Sequence, residues 1–533
     1  MMKLKFARAP AVTALSLAAF LTFGTAHAQL GGQVTLTSID GNTSIGGELI
    51  EFDGLNYRLR TALGEVEISV TQVRCEGPGC PEEIMFGATF SIHGTSTIGL
   101  GLMPKLVEGY AEHLQADLVR ETAPDTGIET IRVIHEDGRE MASIHLLARN
   151  SDIAFDSIAA GRAAIGMSSR PVEDAEVGNL VAAGEPDPRQ SKYESVLAHD
   201  AIVAIVNPSN NVRILSIEEM ANILAGNLTN WSQVGGADMP ITVHANDPAS
   251  GNIDFIDEHV LRPNNQTIGF GAKRYTDDLE LTDAVLADPG AIGFTSSAHV
   301  DQAIALGIEK SCGITSFPTD FAIKTEEYPL TRRLYLYRSA KAQHLHVYDL
   351  MAYMVSDLAQ PLIDEAGFVS RSIERNGLNV LGQRIAHALI GQTEFSLPVM
   401  QQMLTSLNGA ERLSLTFHFR PGSNELEVGS KYEAQQFAQA FAQGDYAGRE
   451  VVLVGFSGSD GDFDTNRAMS MSHAEAALAA MRDVFGASAF DQAPVVIEAY
   501  GEMTPIGCND TLEGQNANHR VEVWLRPKKH GNT

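Results

Sequence analysis

Along residues 30–74, apolar and polar positions alternate, and turn residues break the alternation every few positions. Stretches such as 34–38 (VTLTS) and 56–62 (NYRLRTA) are separated by Asp-Gly and glycine turns. A period of two with such breaks is typical of short antiparallel strands. The pattern therefore predicts a small β module of four or five strands, which we place at residues 29–82.

Residues 83–375 alternate apolar strand-like runs with amphipathic helical stretches. The run 199–208 (HDAIVAIVNP) is a buried strand by its pattern, and the stretch 216–226 opens with a capping box of Ser216 and Glu219. Further strands are predicted at 241–245 and 291–296. This alternation is typical of an α/β architecture with a mainly parallel sheet. Its length predicts two lobes, with a ligand bound at the strand ends between them.

Residues 376–410 are helix-like but interrupted by glycines and by Pro398, so we interpret them as a helical linker. The segment 411–533 then forms a βαβαβ pattern. Its elements are predicted as strands at 413–419, 451–456 and 495–500, helices at 431–443 and 466–484, and a closing strand-like segment (HRVEVWLR). The whole pattern predicts a multidomain chain of α/β and α+β type.

Residues 1–28 have the features of a secretory signal peptide. A start with three basic residues and no acid precedes an apolar stretch at 11–23 and an Ala26-His27-Ala28 cleavage site. A membrane anchor is the alternative, but the stretch is short for a span of about 20 residues. No cysteine follows the site and no later segment is apolar enough to span a bilayer, so we expect a mature periplasmic chain with no transmembrane segment.

The formal net charge is 38 − 67 = −29 at pH 7. Such an acidic chain repels nucleic-acid phosphates, and the sequence has no basic block that offsets this repulsion. Nucleic acid is therefore excluded as a partner. Small anions are not excluded, because backbone N–H groups at helix N-termini bind them locally.

The chain has four cysteines. Cys75 and Cys80 enclose Glu-Gly-Pro-Gly, a turn-forming run, and we expect them to form a disulfide in an oxidising periplasm. Cys312 and Cys508 are far apart in sequence and are expected to be free thiols. No spacing of histidine and cysteine indicates zinc, so we expect no metal and no cofactor.

Three polar motifs each precede an apolar helical stripe. They are His93-Gly94-Thr95-Ser96-Thr97, Asn150-Ser151-Asp152 and Ala249-Ser250-Gly251-Asn252. Each supplies hydroxyl or amide groups as N-caps and backbone N–H groups at the positive end of a helix. One such motif alone is an ordinary N-cap, but three that converge would form an anion cradle.

The central segment resembles the periplasmic phosphate-binding proteins of bacterial ABC transporters. The resemblance is carried by the segment 204–236, with its Asn-Pro turn, helix and Asn-Trp-x-x-Val-Gly-Gly end, and by AAIGMSSRP (163–171), PGAIGFTS (289–296), YPLTRRLYLY (328–337) and QPLIDEAGFV (360–369). It implies a type II solute-binding fold of two lobes and a hinge, with phosphate or a similar small anion as ligand. An ABC transporter permease is the further partner that it implies.

The family's phosphate-contacting positions correspond here to Thr95, Ser96, Thr97, Ser151, Ser169 with Arg170, and Ser250, Gly251 and Asn252. The sequence departs from the family where an arginine normally precedes a Gly-Ser-Gly-Thr run, because Asn246 and Asp247 stand there instead. Loss of a charge-assisted, bidentate partner should weaken phosphate binding. Asp152, in place of a glycine-rich loop, either accepts a proton from a monoprotonated oxyanion or repels anions.

Residues 411–527 resemble the OmpA-like peptidoglycan-binding domain. The matching segments are LTFHFRPGSNEL (415–426), VLVGFSGSDGDFDTNRAMSMSHAEAAL (452–478) and AYGEMTPIGCNDTLEGQNANHRVEV (499–523). The resemblance implies binding of peptidoglycan through its diaminopimelate. Gly458 replaces the family's loop aspartate, and His473 replaces its helix arginine. The predicted ligands are therefore Asp460, with Asp462 as the alternative acid of a shifted loop, and Asn466, His473 and Arg520. A protonated His473 would bind the wall more strongly at pH 6 than at pH 8.

These features favour a non-enzymatic receptor for a small oxyanion, held at the peptidoglycan or outer membrane by its last domain. The alternative is an envelope scaffold whose solute-binding fold no longer binds phosphate. An enzyme ranks third, since Gly455-Phe456-Ser457-Gly458-Ser459 lacks the last glycine of a nucleophile elbow and no base stands near a nucleophile in the sequence.

Overall fold

The computed structural model describes residues 32–38, 43–52, 56–62, 64–69, 73–80, 86–248, 250–342, 344–377, 382, 384–385, 396–485 and 495–528. The predicted signal peptide, Ala249 and most of 378–395 in the predicted linker lie outside these described residues. The chain divides into two compact units, Met1–Glu82 and Glu83–Thr533. Within the described ranges, no helix has the length and apolarity needed to cross a bilayer.

The first unit contains one antiparallel sheet. Its strands are β1 (Gln33–Ser38), β2 (Ser44–Phe52), β3 (Asn56–Thr61), β4 (Gly64–Ser69) and β5 (Val73–Glu76), in the order β4-β3-β2-β1-β5. Alternate residues such as Val34, Leu36 and Leu59 are buried, as the period of two predicted. A disulfide joins Cys75 in β5 to Cys80 in the turn that follows.

The second unit begins with a long mixed sheet. The strands of this part of the chain are β6 (Ala88–Thr95), β7 (Asp117–Thr122), β8 (Glu129–Ile134), β9 (Glu140–Arg149), β10 (Ile165–Ser168), β11 (Glu194–Val206), β12 (Ile214–Ser216), β13 (Thr242–Asn246), β14 (Lys273–Tyr275), β15 (Ala291–Ser296), β16 (Ile304–Ala305), β17 (Gly307–Glu309), β18 (Thr315–Ser316) and β19 (Thr331–Arg338). The long sheet has the order β14-β13-β15-β11-β19-β10-β6-β9-β8-β7, with β16 beside β11, and β12, β17 and β18 form a small separate sheet.

This sheet is less parallel than the sequence predicted. Only β9-β6-β10 and β14-β13-β15 run parallel within it, and the other neighbours are antiparallel. The reason is that β7, β8 and β9 follow one another through short turns, which cannot make a parallel crossover. In addition, β11 and β19 run side by side in opposite directions.

The helices of this part are α1 (Met103–His113), α2 (Asp152–Ala159), α3 (Asp174–Ala182), α4 (Ile217–Ala225), α5 (Gly251–Ile256), α6 (Asp278–Ala287), α7 (Asp320–Lys324), α8 (Leu345–Val355) and α9 (Gln360–Glu365). A π-helical turn at Thr97–Leu102 leads into α1. The predicted capping box of Ser216 and Glu219 begins α4, and Gly226 ends it with a φ of 79°.

Two hydrophobic cores define two lobes. The core of lobe 1 draws on residues 88–167 and 334–368, and the core of lobe 2 draws mainly on 201–330. Strand β11 contributes to both, with Leu197 in the first core and Ile202 in the second. The pair β11 and β19 therefore forms the hinge between the lobes.

The last part of the chain, residues 396–528, is called the C-terminal region below. Its strands, with a preceding edge strand, are β20 (Arg375–Gly377), β21 (Glu411–His418), β22 (Arg449–Phe456), β23 (Val495–Ala499) and β24 (Arg520–Pro527), in the order β20-β21-β24-β22-β23. Its helices are α10 (Leu397–Ser406), α11 (Val428–Gln443), α12 (Phe463–Phe485) and α13 (Leu512–Asn518). The predicted strands and helices are all present, and α13 is an addition.

Two findings correct the predicted linker and the predicted thiols. Strand β20 pairs with β21, and Met403 of α10 packs in one core with Trp524, so both ends of the predicted linker belong to the C-terminal fold.

Cys312 and Cys508 are not free: they form a disulfide across a sequence separation of 196 residues. The separation concealed this pairing, because only the packing of lobe 2 against the C-terminal region brings the two Cα atoms within 5.6 Å.

Candidate functional site

The polar motifs of lobe 1 meet at one edge of the sheet. Thr95 ends β6, Ser169 directly follows the parallel neighbour β10, and Ser151 follows the other parallel neighbour, β9, after one intervening residue. Since parallel strands end at the same edge, the three side chains lie close together. The backbone N–H of Ser169 donates to Ser151 Oγ at 3.1 Å, and the backbone N–H of Thr97 lies 3.4 Å from Thr95 Oγ1.

The motif of lobe 2 reaches the same place. A Cβ added to Gly251 would lie 3.3 Å from Ser169 Oγ and 3.7 Å from Thr95 Oγ1. Ser250 caps α5 by accepting a hydrogen bond from the Asn252 backbone at 3.2 Å. The three predicted motifs therefore converge between the lobes, and a glycine at 251 permits their close approach. Ser96 stands at the start of the π-helical turn and makes no side-chain cap there.

The cleft also contains an arginine that the sequence reasoning missed. Arg332 on β19 donates from Nη2 to Asn252 Oδ1 at 2.7 Å, and its Nε and Nη2 contact Asp200 Oδ2 at 2.9 and 2.7 Å. The same Nη2 lies 3.5 Å from Thr97 Oγ1. Its side chain is 2% exposed, yet Nη1 has no hydrogen-bond partner among the described residues. A buried guanidinium with one free N–H group is a ready donor to an anion.

Arg332 lies in the segment YPLTRRLYLY (328–337), which in the sequence analysis supports only the family resemblance. The signal for its role was a charged residue within an otherwise apolar strand. Side chains alternate along a strand, so one of two adjacent arginines has to face inward. The alternation indicates that one of the two arginines faces the protein interior. It does not indicate that this arginine lines the cleft, because its partner Asp200 lies 132 residues away in sequence.

A second layer of polar groups lies behind Asn252. The Nδ2 groups of Asn246 and Asn252 donate to Asp278 Oδ1 at 2.6 and 3.0 Å, and His299 Nδ1 lies 3.4 Å from Asp278 Oδ2. Burial opposes charge on both members of the His299–Asp278 pair, but the attraction between the two close groups raises the pKa of His299 and lowers that of Asp278. Asn246 Oδ1 also accepts a hydrogen bond from Asn252 Nδ2 at 3.4 Å, so Asn246 orients Asp278 and contacts the cradle through Asn252.

Arg170 and Asp152 pair with each other. Arg170 Nη2 contacts Asp152 Oδ1 at 2.6 Å and Glu176 Oε1 at 2.7 Å, and Glu173 lies 3.5 Å away. The hydrogen bond with Glu176 is the largest cause that raises the pKa of Arg170, against the effect of burial. Three carboxylates already satisfy this guanidinium, so Arg170 is less available to an anion than Arg332 is.

The C-terminal region has a cavity of about 370 Å³ next to the start of α12. Arg420, Asp460, His473 and His519 contribute to its lining, and the Asp460 carboxylate lies 3.0 Å from His519 Nε2. The His473 ring stacks on Phe419 with the ring centres 4.1 Å apart. The structure thus brings Asp460 and His473 together as predicted, and it adds Arg420 and His519, which the sequence reasoning missed.

The other two predicted wall-binding residues lie elsewhere. Asn466 is fully buried and bonds to the backbone of Gly461. Arg520 is also fully buried, with its Nε 2.9 Å from Glu522 Oε1 and its Nη2 2.9 Å from the Thr504 carbonyl. Both side chains support the fold, and neither lines the cavity.

The expectation of stronger wall binding at pH 6 through a protonated His473 needs correction. Burial, and next the neighbouring His519, lower the pKa of His473 to about 4. A ring with that pKa is neutral throughout the range from pH 8 to pH 6. His473 therefore offers the cavity a neutral ring, and the cationic partner available there is Arg420.

Comparisons with known proteins agree with the two-lobed geometry. Residues 134–365 match the model of the PBP superfamily domain. The phosphate-binding protein PstS of Borreliella burgdorferi is 27% identical over 188 residues, which are 34% of this chain and 66% of that protein. The chain therefore spans just under two thirds of this relative's length.

Two solved structures are also similar. The ABC-type phosphate transport receptor from Vibrio cholerae matches 52% of this chain and 99% of its own, at 22% identity and a TM-score of 0.40. The peptidoglycan-associated lipoprotein from Burkholderia pseudomallei matches 21% of this chain and 89% of its own, at 19% identity and a TM-score of 0.18.

The relative from Borreliella burgdorferi is named as a binding protein and not as an enzyme, which agrees with the prediction of a non-enzymatic chain. Between the small β unit and the C-terminal region, the chain thus has the two-lobed type II fold of the PBP superfamily, with its polar cradle in the cleft between the lobes.

Proposed function

We propose that this chain is a periplasmic receptor for a small oxyanion, with phosphate as the first candidate. The observation that carries the proposal is the buried Arg332 guanidinium, whose Nη2 lies 3.5 Å from Thr97 Oγ1 and whose Nη1 has no hydrogen-bond partner among the described residues. The hydroxyl groups of Thr95 and Ser169 lie next to Gly251 in the same cleft. A tetrahedral oxyanion needs several N–H and O–H donors and at least one cation, and the cleft supplies both. The name of the Borreliella burgdorferi relative agrees with phosphate as the ligand.

Arg332 also answers the main objection to phosphate, which is the missing arginine at Asn246. The guanidinium approaches the cradle from the hinge strand β19 instead of from the loop before α5. Asp200 and Asn252 hold it in place, so the orientation of Nη1 does not depend on the ligand. A permease of an ABC transporter is the partner that fits a receptor of this kind.

The test is the thermal stability of the full chain in phosphate-free buffer, with phosphate, sulfate or methylphosphonate added to millimolar concentration. A ligand that binds only the folded state at about 100 times its dissociation constant adds about 2.7 kcal/mol to stability. We expect phosphate to raise the melting temperature more than sulfate does. If none of the three anions has an effect, the receptor is excluded and the envelope scaffold, which the loss at Asn246 favours, takes its place.

For the C-terminal region we propose binding of peptidoglycan in the cavity between Arg420 and Asp460. A diaminopimelate end group is a zwitterion, so it requires an acid for its ammonium group and a cation for its carboxylate. The cavity offers Asp460 and Arg420 for these roles. On this proposal, and with the predicted signal peptide, we expect the receptor at the peptidoglycan or the outer membrane.

Co-sedimentation with purified peptidoglycan tests this second proposal. Asp460→Asn should reduce the bound fraction severalfold, because the ammonium group loses its counter-charge. Asp483→Asn is the matched control, since this exposed aspartate lies on α12 outside the cavity. Equal sedimentation of both variants and the wild type would exclude the cavity as the binding site.

A further inference from the structure

The C-terminal region packs against both lobes and against the hinge between them. On the lobe 1 side, the Tyr432 hydroxyl of α11 donates to the backbone carbonyl of Glu194, where β11 begins, and its ring packs on a cluster containing Phe155 and Tyr337. A few residues along α11, Gln436 Nε2 donates to the Arg371 carbonyl at 2.5 Å. Helix α11 is therefore docked along the hinge.

Strand β19 of the hinge contacts α11 through its face opposite the anion site. Arg332 points to Asp200 and Asn252, whereas its neighbour Arg333 contacts Glu326 at 2.6 Å and Glu433 of α11 at 3.8 Å. The backbone of α11 comes so close to Arg333 that any Cβ at Gly429 would overlap the guanidinium. One strand thus connects the cradle to the docked helix.

On the lobe 2 side, the attachment is covalent. The disulfide between Cys312 and Cys508 ties lobe 2 to the loop before α13. Lys310 Nζ donates to the Ile506 carbonyl at 2.5 Å beside it, and Glu327 contacts Arg412 of β21 at 2.5 Å. The two lobes are consequently joined to the same third body.

We propose that the C-terminal region is a clamp that holds the two lobes in the arrangement in which the cradle is assembled. Lobes of this kind of fold close around a ligand by bending at the strands between them. A rigid body fixed to both lobes and to the hinge strand opposes that bending. The clamp keeps the binding-competent arrangement populated without ligand, so affinity is higher and anion exchange is slower than with a free hinge.

Linkage makes the effect reciprocal. If docking of the C-terminal region favours anion binding, bound anion favours docking by the same factor. Binding in the cavity between Arg420 and Asp460 and binding in the anion cleft then affect each other through α11 and β19. The affinity part of this inference rests on the proposed anion binding, whereas the restraint on the lobes does not.

The experiment measures the distance between two spin labels in the full chain, one on each lobe, with and without phosphate. Exposed positions for the labels are Val181→Cys on lobe 1 and Phe270→Cys on lobe 2. The clamp is released by Gly429→Leu together with Cys312→Ser and Cys508→Ser. The matched controls are Gly178→Leu, in open space on α3, and Cys75→Ser with Cys80→Ser, which removes the other disulfide.

With the clamp intact, we expect one narrow distance distribution that phosphate leaves unchanged, and the control variants should behave alike. The released variant should show a broader distribution in phosphate-free buffer, and its phosphate dissociation constant should rise at least tenfold. A narrow distribution in the released variant overturns the clamp, even if the chain binds no anion at all. If the triple variant does not fold, the Cys312→Ser, Cys508→Ser pair with Tyr432→Phe gives the same comparison with smaller changes in packing.

Discussion

Arg332→Gln is expected to weaken phosphate binding by about two orders of magnitude, which corresponds to about 3 kcal/mol. The substitution removes the guanidinium of the cleft and with it Nη1, which has no hydrogen-bond acceptor in the described part of the chain. Isothermal titration of the full chain with phosphate measures the change. Arg332→Lys should recover only part of the affinity, because an ammonium group cannot contact Asp200, Asn252 and an anion in the fork geometry of arginine.

This prediction needs a control for stability, since Arg332→Gln leaves the Asp200 carboxylate buried without its counter-charge. Arg332→Gln combined with Asp200→Asn restores neutrality, and it should fold better than the single variant while still binding phosphate weakly. Arg189→Gln, at an exposed ion pair with Asp187, should retain wild-type affinity. Wild-type affinity in the Arg332 variants would remove Arg332 from the site.

The second large effect is expected at Glu522 in the C-terminal region. This fully buried carboxylate contacts Arg384 at 2.8 Å, Arg520 at 2.9 Å and Arg412 at 3.2 Å. Burial opposes its charge, but the three guanidinium groups lower its pKa to about 2. Glu522→Gln removes the one carboxylate that contacts all three guanidinium groups, while Arg384 and Arg412 keep Glu327 as a second acid. Because buried cations lose their counter-charge, we expect the substitution to reduce the free energy of unfolding by about 3–5 kcal/mol.

Trp524 gives a local readout, since its indole N–H donates to Glu522 Oε2 at 3.1 Å. Urea unfolding followed by tryptophan fluorescence should therefore shift to lower urea in Glu522→Gln. Glu411→Gln is the matched control on the same sheet, because Glu411 pairs with Arg449 in a half-exposed position and contributes under about 1 kcal/mol. An equal shift in both variants would contradict the special role of the buried cluster.

The same carboxylate predicts a pH dependence. Its pKa is lower in the folded chain than in the unfolded chain, where it is near the ordinary 4.5. The stability that Glu522 contributes is therefore fully present above about pH 4.5 and is lost as the pH falls towards 2. Glu522→Gln should flatten this part of the stability profile, and a profile as steep as that of the wild type would assign the acid sensitivity to other groups.

Local patterns predicted most of the secondary structure. The period of two in 34–38 and the capping box at Ser216 depend only on neighbours in sequence, and both appear as expected. The sequence pattern overestimates the share of parallel pairing in the sheet, because apolar runs alone do not distinguish antiparallel hairpins and hinge strands from parallel strands. The edge strand β20 was assigned to a linker for a related reason: its pairing partner β21 lies 34 residues further on.

The candidate site was predicted in part, for physical reasons that differ between its members. Thr95, Ser151 and Ser169 follow strand ends, and strand ends are visible in a sequence. Prediction of Arg332 as a site residue requires knowledge of which face of β19 lines the cleft. The resemblance aligns His473 with a ligand-binding position, but the pKa of His473 depends on packing against Phe419 and His519, which no motif encodes.

The alternate faces of β19 also restrict how this protein can evolve. A shift of one residue in the strand would move either Thr331 to the cleft position of Arg332 or Leu334 to the outward position of Arg333, because successive side chains point to opposite sides. Either the cleft would lose its oriented guanidinium, or Glu433 of α11 would lose its ionic partner Arg333. Insertions and deletions should therefore be absent from this strand in functional descendants, while substitutions on either face remain open to selection one at a time.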